Sequence, residues 1–217
     1  MRNAQNISEI AKLNPDYLGF IFYEKSPRFV ETGRAPSLPP IPKHIKKVGV
    51  FVNETAEKIL ETVEKYGLDL VQLHGAETPE FCRSLKQKMQ NVQITKAINI
   101  ENILDIEKTK MYDNDCCDYF LFDSPPTPPR GDLSSPFGGV RGGLHGGTGQ
   151  KFQWWTLDWY DGEIPFFLSG GISIDDVEKL KEIHHDRLYG IDINSRFEIE
   201  PALKDVEKVK QFLNQLH

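Results

Sequence analysis

The chain has 217 residues, 39% of them hydrophobic and 27% charged, and its net charge is −6. This composition is typical of a globular protein and argues against a disordered or fibrous one. The length suits one large α/β domain and lies at the low end for an eight-fold β/α barrel. The chain has no long basic run and no apolar run near the ~20 residues of a membrane helix, so we expect neither nucleic acid nor a membrane as a partner.

The first residues lack the apolar core of a signal peptide. Cys82, Cys116 and Cys117 are an odd number of cysteines with two adjacent, which suits reduced thiols in the cytoplasm. No Cys/His spacing predicts a metal site.

Along the chain, a short amphipathic helix from about Ile7 to Leu13 ends at Asn14-Pro15. Buried strands then alternate with helical patterns. The predicted strands end near Phe22, Val52, His74, Ile98, Phe122, Leu168 and Ile193. The predicted helices span residues 55–66, 78–89, 100–108, about 154–159, 173–183 and about 202–216.

This alternation, without a dinucleotide-binding fingerprint after the first strand, predicts a parallel β/α barrel rather than an open doubly wound sheet. A closed (β/α)8 barrel has eight strands, and the sequence predicts seven. Because the chain opens with a helix, we expect residues 1–217 to form one TIM-barrel domain that lacks the first strand.

Polar residues follow several predicted strands, where such barrels place their active sites. They are Arg28, His74, Asp123, Ser169 and Asp192. A strand-end aspartate is often only a helix cap. Five such residues on one rim favour an active site.

Three turns rich in small residues follow the last three strands: residues 146–149 (Gly-Gly-Thr-Gly), residues 169–171 (Ser-Gly-Gly) and Asn194-Ser195. Unobstructed backbone N–H groups beside a helix N-terminus bind phosphate well. Turns need glycine anyway, but the convergence of three predicts a phosphate site.

Seven segments in this order resemble phosphoribosylanthranilate isomerase, a barrel enzyme of tryptophan biosynthesis. The resemblance spans nearly the whole chain and lies in residues 25–30 (KSPRFV), 48–53 (VGVFVN), 71–75 (VQLHG), 122–123 (FD), 146–149 (GGTG), 167–172 (FLSGGI) and 192–195 (DINS).

The resemblance implies an Amadori rearrangement of N-(5-phospho-β-D-ribosyl)anthranilate, without a cofactor or metal, by a monomer or homodimer. It implies that Asp123 is the general acid, that Arg28 binds the anthranilate carboxylate and that Asp192 faces the amino nitrogen. It places the phosphosugar's phosphate on Gly147, Gly149, Gly170, Gly171, Asn194 and Ser195.

Other candidate residues have plainer interpretations. His74 could relay protons, but we expect a rim histidine bonded to neighbouring backbone. Cys116 and Cys117 precede the strand that ends in Asp123, so we expect them at the opposite mouth, and Cys82 should be packing inside an outer helix. We expect Trp154, Trp155 and Trp159 to pack a helix against the barrel.

The chain departs from the family at its start. The family's first strand ends in a Cys-Gly pair whose thiolate is the catalytic base, and Met1-Arg2-Asn3 occupies the turn after it. Either Met1 is an internal methionine of a complete enzyme, which we favour because the other motifs are intact, or the chain is an impaired phosphosugar-binding barrel.

A second departure is the Pro/Gly-rich insertion at residues 124–145, which predicts no regular element. It is interpreted either as a lid over the substrate or as a tolerated surface excursion. A third is Arg196, where the family commonly has glycine; it adds charge near the phosphate or points outward.

Two other functions compete. A relative of indole-glycerol-phosphate synthase would need catalytic lysines and glutamates at several strand ends, and only Lys96 is suitably placed. A non-catalytic phosphosugar binder would keep the anion site without turnover.

Overall fold

The structure is a computed structural model, which describes residues 1–31, 38–89, 91–123 and 154–216. Seven parallel strands form one sheet whose spatial order follows the chain, as expected for a β/α barrel. The strands are β1 Tyr17–Ile21, β2 Lys46–Phe51, β3 Leu70–Leu73, β4 Gln93–Asn99, β5 Tyr119–Asp123, β6 Phe166–Leu168 and β7 Leu188–Ile191.

Helices connect these strands and begin where the sequence supplies caps. Thr55 and Thr78 each accept a hydrogen bond from the backbone three residues on, and Gly67 ends its helix in the left-handed conformation at φ 58°. The helices are α1 Ala4–Ala11, α2 Ala56–Tyr66, α3 Pro79–Lys88, α4 Ile103–Ile106, α5 Val177–Lys181 and α6 Val206–Leu216. None of the helices in these described ranges could cross a membrane.

The sheet curls until its two edges approach each other. The Tyr17 hydroxyl of β1 donates to the Tyr189 hydroxyl of β7 at 3.3 Å, and both rings contact Phe167 inside the curl. The outer face of the sheet packs against the helices in the main core, which includes Phe51 and Phe120. The described residues therefore form the expected seven-stranded β/α barrel architecture, with no strand between β7 and β1.

Met1 lies against β1. Its amino nitrogen donates to the Gly19 carbonyl at 2.9 Å, and burial lowers the pKa of that amine to about 5, helped by the nearby Lys204 charge.

Four predicted helices differ from the structure. Residues 198–204 form an antiparallel ribbon, β8 Glu198–Glu200 and β9 Leu203–Lys204, so the last helix starts at Val206 instead of near Ala202. The helix predicted for residues 100–108 is α4 followed by a 3₁₀ turn, Glu107–Met111. The segments Trp154–Trp159 and Ile174–Asp176 are 3₁₀ turns, the second leading into α5.

Candidate active site

The exits of the last three strands lie side by side. The Ser169 amide donates to the Phe122 carbonyl, and the Asp192 amide donates to the Leu168 carbonyl, both at 2.8 Å. Asp123, Ser169 and Asp192 therefore lie on one rim, at the carboxyl ends of β5, β6 and β7. This is the face on which β/α barrels place their chemistry.

Asp123 is held by a chain of side chains that crosses the mouth. Its Oδ2 lies 3.2 Å from Nε2 of His74, and Nδ1 of His74 lies 2.8 Å from the Gln72 amide nitrogen. The prediction that His74 bonds to neighbouring backbone is wrong. Residue 72 of β3 and residue 74, which directly follows the strand, point to the same side because side chains alternate along an extended chain. The curl of the sheet brings that side opposite Asp123.

Asp192 has a less polar environment than an ordinary surface carboxylate. Burial raises its pKa, and the negative charge of Asp123 adds to that effect, while Lys204 and a hydrogen bond from Ser169 oppose it. The Ser169 hydroxyl donates to Asp192 Oδ2 at 3.0 Å. Two carboxyl groups thus share one mouth in different environments, an arrangement that assigns such groups different roles.

Arg28 follows β1 in a loop that folds back along the strand, where Phe29 forms a parallel bridge with Ile21. Its guanidinium binds Glu198 side-on: Nε lies 3.0 and 2.9 Å from the two carboxylate oxygens, and Nη2 lies 2.5 Å from Oε2. The Glu198 side chain is only 4% exposed. Sequence reasoning missed this partner, which is 170 residues away.

The turns after β6 and β7 supply the described part of the expected phosphate cradle. Gly170 and Gly171 both have positive φ, 90° and 63°, a backbone that glycine adopts easily and that favours anion-binding concavities. Asn194 accepts hydrogen bonds from Lys204 Nζ through its backbone and side-chain oxygens, at 3.0 and 2.8 Å. Ser195 begins the next 3₁₀ turn.

Two predicted phosphate residues, Gly147 and Gly149, and the insertion at residues 124–145 lie outside the described residues.

Comparison with known proteins decides the family. The model for N-(5'-phosphoribosyl)anthranilate isomerase matches residues 1–215. The chain belongs to the N-(5'-phosphoribosyl)anthranilate isomerase family.

Curated isomerases of this family align with the whole chain. The protein from Parabacteroides distasonis is 43% identical over 225 residues, which cover 90% of its own length. The protein from Phocaeicola vulgatus is 38% identical over 216 residues, which cover 94% of its length.

Solved structures of the family show the same fold. A phosphoribosylanthranilate isomerase in complex with reduced 1-(o-carboxyphenylamino)-1-deoxyribulose 5-phosphate is 26% identical with a TM-score of 0.76; the alignment covers all of this chain and 94% of that one. Monomers of the dimeric isomerase from Thermotoga maritima align over the same shares at 27% identity with a TM-score of 0.75.

The cysteines of this isomerase-family chain lie away from the rim, as predicted. Cys82 is buried in α3, and burial raises the pKa of its thiol to about 12. Cys116 and Cys117 are buried just before β5, at the end of the strand opposite Asp123. Burial also raises the pKa of both these thiols. A buried thiol with a raised pKa is inert at neutral pH.

The structure also shows where the side chains of Trp159, Lys96 and Arg196 lie. Trp159 is 60% exposed, so the prediction that it packs against the barrel is wrong, whereas Trp154 does contact the core. Lys96 does not point into the mouth; its side chain is buried outside the sheet and pairs with Glu77 at 2.9 Å. Arg196 is exposed.

Proposed function

We infer that this chain is an intramolecular oxidoreductase that converts N-(5-phospho-β-D-ribosyl)anthranilate to 1-(2-carboxyphenylamino)-1-deoxy-D-ribulose 5-phosphate in tryptophan biosynthesis. The observation that carries the inference is a family match over residues 1–215 in which strand-exit residues of the barrel share one rim. The reaction moves hydrogen within one molecule, so its balance requires no external oxidant or reductant.

Ring opening needs an acid, and we assign that role to Asp123. Its carboxyl protonates the furanose oxygen while the anthranilate nitrogen supplies the electrons that break the ring C–O bond, which gives a cationic imine. His74 Nε2, 3.2 Å from Asp123 Oδ2, orients the carboxyl. Asp192, as a carboxylate, stabilises the positive charge that develops at the nitrogen, since a negative charge beside that atom favours its charged form.

The second step removes the C2 proton from the imine. The C–H electrons form a C1–C2 double bond while the C1–N π electrons return to nitrogen, which gives a neutral enamine that carries the C2 hydroxyl. Addition of a proton at C1 and loss of the hydroxyl proton then give the ketone. In the family this base is a thiolate at the end of the first strand, and none of this chain's three cysteines reaches the rim. The experiment below adds a Cys-Gly pair ahead of Met1, whose amine lies against β1, to test whether a thiolate in that place acts as the base.

Substrate binding uses the two ends of the mouth. We propose that Arg28 binds the anthranilate carboxylate, for which a planar guanidinium is well shaped. We propose that Gly170, Gly171, Asn194 and Ser195, together with Gly147 and Gly149, bind the phosphate. The positive φ angles of the glycine pair support the first part of this assignment.

The remaining assignments are also proposals. We propose one domain over residues 1–217, a cytoplasmic location in keeping with three free buried thiols, and a monomer or homodimer that binds no nucleic acid.

The test follows the loss of phosphoribosylanthranilate fluorescence with residues 1–217 and with the same chain extended by a strand that ends in Cys-Gly. We expect the extended protein to be faster by about 10² to 10⁴-fold, the range typical of a positioned base. Asp123→Asn in the extended protein should lose activity on a similar scale. The matched control is Asp158→Asn, an exposed aspartate. Parental activity in Asp123→Asn would contradict the assignment.

A further inference from the structure

Within the described residues, the guanidinium of Arg28 is bonded at one edge and unpaired at another. A guanidinium has a side edge, formed by Nε and one terminal nitrogen, and an end edge formed by the two terminal nitrogens, and each edge can bind a carboxylate bidentately. Glu198 occupies the side edge through Nε and Nη2. Within the described ranges Nη1 has no hydrogen-bond partner, so the end edge remains for a second carboxylate.

Glu198 is itself fixed from two further directions. Its Oε1 accepts a hydrogen bond from the Ala202 amide at 3.1 Å and lies 3.6 Å from Lys204 Nζ. Ala202 has φ 72°, a left-handed turn that brings its amide and Lys204 back toward Glu198. The short β8–β9 ribbon therefore presents a buried carboxylate at a fixed position.

Lys204 connects this carboxylate to the other end of the mouth. Its ammonium donates to both oxygens of Asn194 in the turn after β7, and its charge acts on Asp192. The ribbon thus links the residue assigned to the substrate's carboxylate with a turn assigned to its phosphate.

Glu198 is shared between two cations of this cluster. Arg28 and Lys204 both pair with it, and the charge of Asp192 also acts on Lys204. Burial opposes ionisation of Glu198, but the hydrogen bond from Arg28 and the charge of Lys204 lower the pKa of its carboxyl below the ordinary value. A ligand carboxylate on the end edge of Arg28 would give this guanidinium a second anionic partner.

We propose that Glu198 is a positioning residue that sets the guanidinium of Arg28 for the substrate's aromatic carboxylate, and that Lys204 ties this setting to the Asn194 turn. The proposal rests on the binding role proposed above for Arg28. A guanidinium restrained before the ligand arrives loses less conformational entropy on binding. The alternative is that Glu198 merely stabilises the fold or competes with the ligand for Arg28.

The experiment measures the affinity of the protein for two probes by titration calorimetry. One is reduced 1-(o-carboxyphenylamino)-1-deoxyribulose 5-phosphate, and the other is its anilino analogue, which lacks the ring carboxylate. Binding of either probe needs no proton abstraction, so residues 1–217 can be used as they stand. Glu198→Gln keeps the shape of the side chain, and Glu200→Gln, an exposed glutamate of the same ribbon, is the matched control.

We expect Glu198→Gln to weaken the carboxylate probe by about 10- to 100-fold and the anilino probe by less than about threefold. Arg28→Ala should show the same selectivity. The double variant should be no weaker than Arg28→Ala alone, because two residues that act as a unit are not additive. Glu200→Gln should leave both affinities unchanged.

Other results would overturn the proposal. If Glu198→Gln weakens binding of both probes equally, Glu198 only stabilises the fold. If Glu198→Gln binds the carboxylate probe more tightly, Glu198 competes with the ligand for Arg28. If Arg28→Ala weakens binding of the carboxylate probe selectively and Glu198→Gln does not, Glu198 has no positioning role, but the proposed function is still supported. If the parent protein binds the carboxylate probe no more tightly than the anilino probe, both the positioning role of Glu198 and the proposed function of this site are contradicted. If Glu198→Gln does not fold, Glu198→Asp keeps the charge and withdraws the contact, and the same selectivity is expected of it.

Discussion

Replacement of Lys96 by methionine removes one half of a buried ion pair. Lys96 is 2% exposed, and its ammonium donates to Glu77 at 2.9 Å and to the Gly75 and Leu73 carbonyls at 2.7 and 3.2 Å. Glu77 in turn accepts backbone hydrogen bonds from Asn53 and Gly75, at 2.8 and 2.9 Å. The pair therefore joins the loops that follow β2 and β3, beside the strand end that carries His74.

Methionine fills the space of the lysine stem but leaves Glu77 without its cation. Breaking a buried pair in this way costs about 3 to 5 kcal/mol. For a chain of this length each kcal/mol shifts Tm by roughly 2 to 4 °C, so we expect Lys96→Met to melt about 6 to 20 °C below the parent. The double variant Glu77→Gln with Lys96→Met should recover much of the loss, because no unpaired charge remains.

The loss of stability in Lys96→Met should depend on pH in one direction. Burial opposes ionisation of Glu77, yet Lys96 and the Asn53 amide lower the pKa of its carboxyl below its ordinary 4.5. A carboxyl whose pKa is lowered by folding stabilises the fold at pH values above its unfolded pKa. That contribution is lost as pH falls through its folded pKa. The deficit of Lys96→Met should therefore be largest at pH 7 and should shrink toward pH 4.

Circular dichroism melts at both pH values measure these differences, with Lys88→Met, an exposed lysine of α3, as the control. The reasoning is refuted if Lys96→Met melts within about 3 °C of that control, a gap of roughly one kcal/mol. It is also refuted if the double variant is no more stable than Lys96→Met.

Three further predictions concern the mouth and its packing. His74→Ala should lower kcat roughly 10- to 100-fold with little change in KM in the fluorescence assay, because Asp123 loses the group that orients it; an unchanged kcat would rule out that role. Burial raises the pKa of Asp192 in the folded protein. The contribution of protonated Asp192 to the free energy of unfolding is therefore fully present below its unfolded pKa of about 3.9, and it is lost as pH rises through the folded pKa. Asp192→Asn should therefore melt above the parent at pH 8, with a gap that closes toward pH 4, and the opposite trend in scanning calorimetry would contradict burial as the cause. Gly49→Ala would place its Cβ 2.4 Å from Leu68, so a urea titration should show a loss of about 1 to 3 kcal/mol, and an unshifted midpoint would show that the site can relax.

The strand exits could be predicted because they depend on local pattern. An apolar strand buried on both faces, followed directly by Asp123, Ser169 or Asp192, fixes where the chain leaves the sheet. In a parallel sheet all such exits face the same way, so a common rim follows without knowledge of side-chain contacts. Ser173 and Asp176 form a capping box where the helix predicted for residues 173–183 begins.

Contacts that depend on the curl or on register could not be predicted. Lys96 lies in β4 next to inward-facing Thr95 and Ala97, and a one-residue difference in register decides whether it faces the mouth or the helices. The pairing of His74 with Asp123 spans 49 residues, and it exists only because the sheet curls. The β8–β9 ribbon is too short to show the alternation of apolar and polar residues that predicts a strand, so the sequence pattern did not indicate that Glu198 and Lys204 pair across it.

The two ends of the proposed substrate site follow from different physical causes. The turn after β6 comes from backbone conformations that glycine permits, so its proposed part of the phosphate site is visible in sequence and depends little on distant residues. The carboxylate end depends on a buried charge cluster whose members come from the loop after β1 and from the ribbon before α6. A buried charge is stable only with its partners in place. Substitution of Glu198 should therefore alter recognition of the anthranilate ring more than recognition of the phosphate, whereas Lys204 also holds the Asn194 turn.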